Sequence, residues 1–472
     1  MADWTDVEIG QKLFKNIDEG SLTATYAALE NCFVTEAKGL SRFPGLVEFC
    51  DLGGNSDTYL SKYGNDMIAV GLDGRTHRID SNANSKLIDG PPVLGGDPVC
   101  FTRTKTSLVM AAGAQIIAYD GEKNSVLSKD APLSSFVGYI DGYLLAVEKE
   151  SGRFQYSEIN NLVSWPALNT IAVEGSPDNI NAMLITPFNE ILFCGEESIE
   201  QFERNPGGES PFFRRWSTGD GIIEPWTLCH ADNAAWGLNS KLEFSRISGQ
   251  TTQSVSDDIQ KEIEHRYSIN EFGSTKRAWA KPVNIKGQRF IIFQAPKATN
   301  GYGTEGITFV FDIKKGQYFE LFGWDEKTGL PTLWPGRSIF QMWGKTFVGG
   351  QGKIYELSPN AYSNDNKTQR VYARTAHFDT AGCMRIDRVR MTLKRGVGTY
   401  DTEPSIMFRT NPDNKGFGAK QVRTIGKTGA PDFTIEFGAQ GIGTTWQFEM
   451  AMTDNAPFEL RRLQIDATKI DR

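Results

Sequence analysis

Short apolar runs alternate with Gly-rich or polar turns along most of the chain. The first pair is Met67-Ile68-Ala69-Val70 and His77-Arg78-Ile79-Asp80, joined through Asp73-Gly74. The same unit recurs at Leu108 and Ile116, Tyr143 and Phe154, Ile191 and Ile199, and Ala235 and Leu242. Two more copies lie at Phe290 and Phe309, and at Thr346 and Ile354. Each copy reads as a β-hairpin of two short strands. Successive copies are 36 to 56 residues apart. A propeller blade of four strands takes roughly 40–50 residues, and one blade cannot bury both its faces alone. The spacing therefore predicts six or seven blades between about Leu40 and Leu357, with insertions in the last two. No WD or kelch signature recurs from blade to blade, so the repeat is degenerate. An ordinary β-sandwich with many hairpins would show the same alternation without the near-regular spacing.

Two stretches break the pattern. Residues 1–39 hold Leu13, Phe14, Ile17, Tyr26 and Leu29 with little alternation, and read as an N-terminal arm or short helices. In Asp257–Glu264, Ile259 and Ile263 stand at i and i+4, which predicts a short amphipathic helix between blades. After the propeller, assigned to 40–359, the polar stretch Asn360 to Lys367 reads as a linker. Strands then follow near Val371, Ile386, Ser405, Phe433, Trp446 and Phe458. Segment 360–472 is therefore expected to be a small C-terminal β-sandwich. The fold class is all-β.

The 472 residues are 39% hydrophobic and 11% aromatic, ample for a core. Mean hydropathy is −0.38, and no run reaches the roughly 18 apolar residues of a membrane helix. The mixed-charge N-terminus has no apolar segment of a secretion signal. Net charge is −8, which disfavours a basic nucleic-acid wrapper. The charge is uneven, however. Residues 366–472 carry 17 Lys or Arg and 12 Asp or Glu, a net of +5, leaving −13 on residues 1–365. The basic residues cluster at Arg370, Arg374, Arg385, Arg388, Arg390, Lys394 and Arg395, with Lys367 just before them. They form a candidate interface for an acidic partner or a DNA backbone; alternatively they are one solvated strand face.

Catalytic patterns are sparse. Six cysteines (Cys32, Cys50, Cys100, Cys194, Cys229, Cys383) make no CxxC and read as buried free thiols. The four histidines show no metal-ligand spacing. Cys229 and His230 are neighbours on a strand and point to opposite faces, so they do not form a nucleophile–base pair. Gly349-Gly350-Gln351-Gly352-Lys353 has the wrong spacing for a phosphate loop and suits a tight turn. Adjacent acids at Glu196-Glu197 and Asp257-Asp258 do not make a glycosidase pair. Thr410 to Phe417 has a faint likeness to a sialidase Asp-box and is better read as a hairpin loop. No catalytic, cofactor-binding or metal site is expected.

Three segments carry a resemblance. Asn31-Cys32-Phe33-Val34-Thr35 with Ser41-Arg42-Phe43-Pro44-Gly45-Leu46, the hairpin strand Ser198 to Phe202, and Arg461-Arg462-Leu463-Gln464-Ile465 are similar to segments of packaged-DNA stabilisation proteins. These are the tail hub or nozzle proteins of short-tailed, podovirus-type phages. The resemblance implies a structural virion protein without catalytic residues or cofactors, located in the tail. It implies a homohexameric ring below the portal and its adaptor ring, holding a tail needle and tail spikes or fibres. Such a ring retains the packaged genome and passes double-stranded DNA without reading its sequence. The competing expectations are a carbohydrate-binding or carbohydrate-hydrolysing propeller and an interaction scaffold of a host cell.

Overall fold

A computed structural model describes residues 4–6, 28–37, 39–173, 175–268, 278–393, 403–426 and 433–470. Seven four-stranded units ring a central axis, within the range of blades expected. Six are built from strands consecutive in sequence, beginning at Thr58–Tyr63, Cys100–Arg103, Val137–Ile140, Ala182–Ile185, Cys229–Ala231 and Trp279–Ile285. The seventh takes three strands from Ser338–Met342, Lys345–Gly349 and Lys353–Ser358, and its fourth from Gly45–Asp51. The ring is thus closed by hydrogen bonds between two distant parts of the chain, and no sheet edge is left at the junction.

Each hairpin found by its apolar pattern is the second and third strand of a blade. Met67 to Val70 and Leu108 to Ala111, both second strands, are fully buried. Such strands pack against neighbouring blades on both faces, so they read as continuous apolar runs rather than alternating ones. Outer strands such as Ser85–Leu87 are exposed and short, and carry little signal. The predicted helix forms at Gln260–Ser268, and Ile259 and Ile263 are buried in the largest core cluster.

Hydrogen bonding does not stop at the propeller. The outermost strand of the sixth blade, Gln317–Glu320, pairs with Ala28–Glu30. That strand in turn pairs with Val371–Arg374, and the ladder continues into the C-terminal strands. Trp446, Phe448 and Met450 fill the interior of this C-terminal part. In Phe378–Leu393 the register shifts between Ile386 and Arg388. The extra residue of this bulge lets Ile386 and Val389, three apart, both face the core. The polar stretch from Asn360 contains a short hairpin, Ser363–Asn364 with Lys367–Thr368, laid against Gly45–Asp51.

The segments 31–35 and 41–46 sit where propeller and C-terminal strands meet. Asn31 takes φ 53°, the left-handed region that Asn tolerates. Its side chain donates to the Arg370 carbonyl at 2.8 Å and accepts from the Phe322 amide at 3.0 Å. Arg42 is almost wholly buried and donates to Gln369 Oε1 and to the carbonyls of Gln369, Asp454 and Ala456.

Candidate functional site

The basic cluster divides into two arrangements. Arg385, Arg388 and Arg390 project from one strand and are met by carboxylates. Arg385 pairs with Asp387 at 2.7 Å, Arg388 with Asp466 at 2.8 Å, and Arg390 with Glu436 at 2.6 Å. Trp4, on the strand Trp4–Asp6 that pairs with Glu459–Lys469, lies 3.8 Å below Arg390 and 5.2 Å from Arg388. This face is a neutralised ladder with a cation–π cover. Lys394 and Arg395 lie outside the described residues.

Arg370 and Arg374 belong to a different, inner network. Arg374 ends the strand Val371–Arg374, Arg370 stands just before it, and Tyr372 lies between them. Glu449, 1% exposed, stands directly opposite Arg374 on one neighbouring strand and opposite Arg409 on the other. Arg409 Nε reaches it at 2.5 Å, Arg374 at 3.2 Å and the Tyr372 hydroxyl at 2.7 Å. Burial pushes the Glu449 carboxyl up, but these hydrogen bonds and the two arginine charges outweigh it and hold the group below its ordinary range. Arg370 binds the buried Glu30 and the Tyr302 hydroxyl, and stacks near Trp324 at 5.3 Å. Arg409 was not picked out from sequence. Its place beside Glu449 depends on strand pairing across 40 residues, which no local pattern reports.

The propeller axis holds a cavity of about 600 Å³. It is lined by the first strands of six blades and by the turn leading into the fifth, including Arg103, Lys281, Arg337, Tyr139 and Trp226. Arg337 is tied to Asp57 at 3.3 Å. None of the lining residues is Asp or Glu.

Among the other singled-out residues, Cys229 is buried, and burial pushes its thiol up to about 12. His230 lies against Phe188 at 6.1 Å. Thr410 to Phe417 is a hairpin connection in which Asp413 accepts the amides of Thr444 and Thr445, which holds its carboxyl well below the usual range. Among the described residues no cluster of His, Cys, Asp and Glu has metal-binding geometry.

Residues 44–360 match the family described as bacteriophage P22 Gp10, β-propeller, a phage stabilisation family. The chain belongs to this family. It is therefore a phage structural β-propeller protein of the kind that stabilises packaged DNA. The matched range coincides closely with the ring of blades, from the closing strand at Gly45 to the end of the seventh blade. No curated protein matches the chain. Among solved structures it is similar to the computationally designed Ika8 protein, with 13% identity, 66% of this chain, 99% of that chain and TM-score 0.37. It is also similar to the WD40 propeller domain of Doa1, with 11% identity, 66% of this chain, 96% of that chain and TM-score 0.41. A third likeness is to the extracellular domain of BT4673 from B. thetaiotaomicron, with 12% identity over 91% of this chain and 60% of that one, TM-score 0.42.

Proposed function

We propose that this chain is the tail hub, or nozzle, of a short-tailed phage. It closes the portal after packaging, retains the genome and forms part of the ejection conduit. It acts as a homohexameric ring in the virion tail. Its neighbours are the portal adaptor ring, a tail needle and tail spikes or fibres, and double-stranded DNA passes through the ring.

Membership of the phage stabilisation family is the observation that carries this reading. The axial cavity of about 600 Å³ has room for roughly twenty waters at about 30 Å³ each. A duplex whose major groove alone is about 12 Å wide cannot thread it. In this reading the conduit for DNA lies between copies of the chain, not along the axis of one. Each copy adds −8 to the ring, and a net negative assembly disfavours tight binding of phosphate.

Negative-stain imaging of the purified protein, alone and with DNA-filled tail-less particles, tests the reading. Six-fold rings, or density docked at one vertex that blocks DNA leakage, are expected. A monomer that never docks and leaves leakage unchanged overturns it.

A further inference from the structure

The outer face of the C-terminal sheet holds a cavity of about 530 Å³ that the ring reading does not use. Its floor is Ala451. In both neighbouring strands the residue paired with Ala451 is large, Tyr372 on one side and Met407 on the other. A small residue between two large ones leaves a hollow, and Val422, 55% exposed, continues its apolar wall.

Cations flank the floor along the strands, Arg374 and Arg409 toward Glu449 and Arg370 on the far side of Tyr372. Arg370, Arg374, Arg409 and Lys420 line the hollow, against Glu449 in the lining and Glu30 behind Arg370. Four cations against two carboxylates leave a surplus of two positive charges. Both carboxylates are already engaged by arginine. The Nε atoms of Arg370 and Arg374 are buried, so the donors open to a ligand are the terminal nitrogens of Arg409 and the Lys420 ammonium. Among the described residues Arg409 donates only through its Nε, to Glu449, and its guanidinium lies 4.7 Å from the Phe417 ring. Lys420 has no carboxylate partner among the described residues. Planar guanidiniums held in place with free donors are suited to bind a carboxylate or phosphate.

We propose that this cavity is a docking site for an extended acidic peptide of a partner protein, with a glutamate-type carboxylate on Arg409 and Lys420 and an apolar neighbour over Ala451. The apolar floor decides between anions. A phosphodiester backbone has no use for an Ala, Met and Val surface, whereas the carbon stem of an acidic side chain and an adjacent aliphatic residue cover it. The site lies within one chain, so the proposal holds whether or not the chain forms a ring.

Fluorescence anisotropy of the full chain with labelled acetyl-Leu-Glu-Leu-Glu-Leu amide tests it, with the glutamine counterpart and oligothymidylate as rivals. The glutamate peptide is expected to saturate below about 1 mM, with the glutamine peptide at least about tenfold weaker. Lys420→Gln, at an exposed position, should weaken the glutamate peptide about threefold or more, and Ala451→Leu should fill the floor and abolish binding. Equal binding of the two peptides, no saturation, indifference to both variants, or preference for oligothymidylate overturns the proposal.

Discussion

Arg42 Nε donates to Gln369 Oε1 at 3.0 Å across 327 residues of sequence, in a site closed to solvent. Among the described residues no carboxylate is one of its hydrogen-bond acceptors. Its remaining donors go to main-chain carbonyls of Gln369, Asp454 and Ala456, so one guanidinium fastens the N-terminal segment to two C-terminal ones. Burial pulls its pKa down to about 10, still charged at neutral pH. Replacing Arg42 by Met leaves several buried acceptors without donors. The expected loss is about 3 kcal/mol or more in urea unfolding. A loss under about 1 kcal/mol would show that water or relaxation satisfies those carbonyls.

Glu449 should make stability depend on acid. Its carboxyl is held below the ordinary value of about 4.3 by Arg409, Tyr372 and Arg374 despite burial. A lowered folded-state pKa gives stability that is present above the unfolded value and disappears as pH falls through the folded one. Glu449→Gln strands two arginines and should cost about 3 kcal/mol at pH 7. The gap between the two proteins should close as pH drops below about 4. Parallel pH–stability curves for wild type and variant would refute this role.

Much of the propeller was legible because blade interiors impose a simple demand. A second strand packed on both faces is apolar almost throughout, as Leu108 to Ala111 is, and the demand repeats from blade to blade. The closing strand Gly45–Asp51 was less visible. Val47 and Glu48 are exposed there, and its partners lie some 300 residues away. The hairpin Ser363–Asn364 with Lys367–Thr368 is polar because it is held by main-chain pairing and by Asn364, whose side chain is buried against Phe322. Composition could not separate it from a linker. The basic cluster was legible as charge but not as partners. Arg388 and Arg374 look alike in sequence, yet one meets Asp466 at the surface and the other a buried Glu449. Strand register, set by the whole sheet, makes that difference.

The thiols give a direct check on burial. Cys32, Cys194 and Cys229 are buried, and desolvation pushes each thiol up, so little thiolate forms at pH 8. Under native conditions these three should resist a thiol reagent, while Cys383, half-buried, reacts first. All six should react in denaturant. Rapid native labelling of Cys194 would mean that the fourth blade opens on the time scale of the reaction.

The seventh blade supplies a paired test of how its closure is built. Gly344 and Gly352 both adopt positive φ, 71° and 67°, in the two turns of that blade. A Cβ on Gly344 would meet open space, so Gly344→Ala pays only for the left-handed backbone, about 1 kcal/mol. A Cβ on Gly352 would run into the carbonyl oxygen of Gly54. That carbonyl lies in the turn leading from the closing strand to the first blade. Gly352 is also bonded to this turn in both directions, donating to Ser56 O and accepting from the Leu52 amide, each at 2.8 Å. The clash cannot be relieved without loosening the connection between the seventh and first blades. Gly352→Ala should therefore cost at least about 2 kcal/mol more than Gly344→Ala in urea unfolding. It should also raise proteolysis in residues 52–57 well above that of Gly344→Ala. Equal costs for the two variants would mean that the turn yields freely, and that the closing strand alone holds the ring.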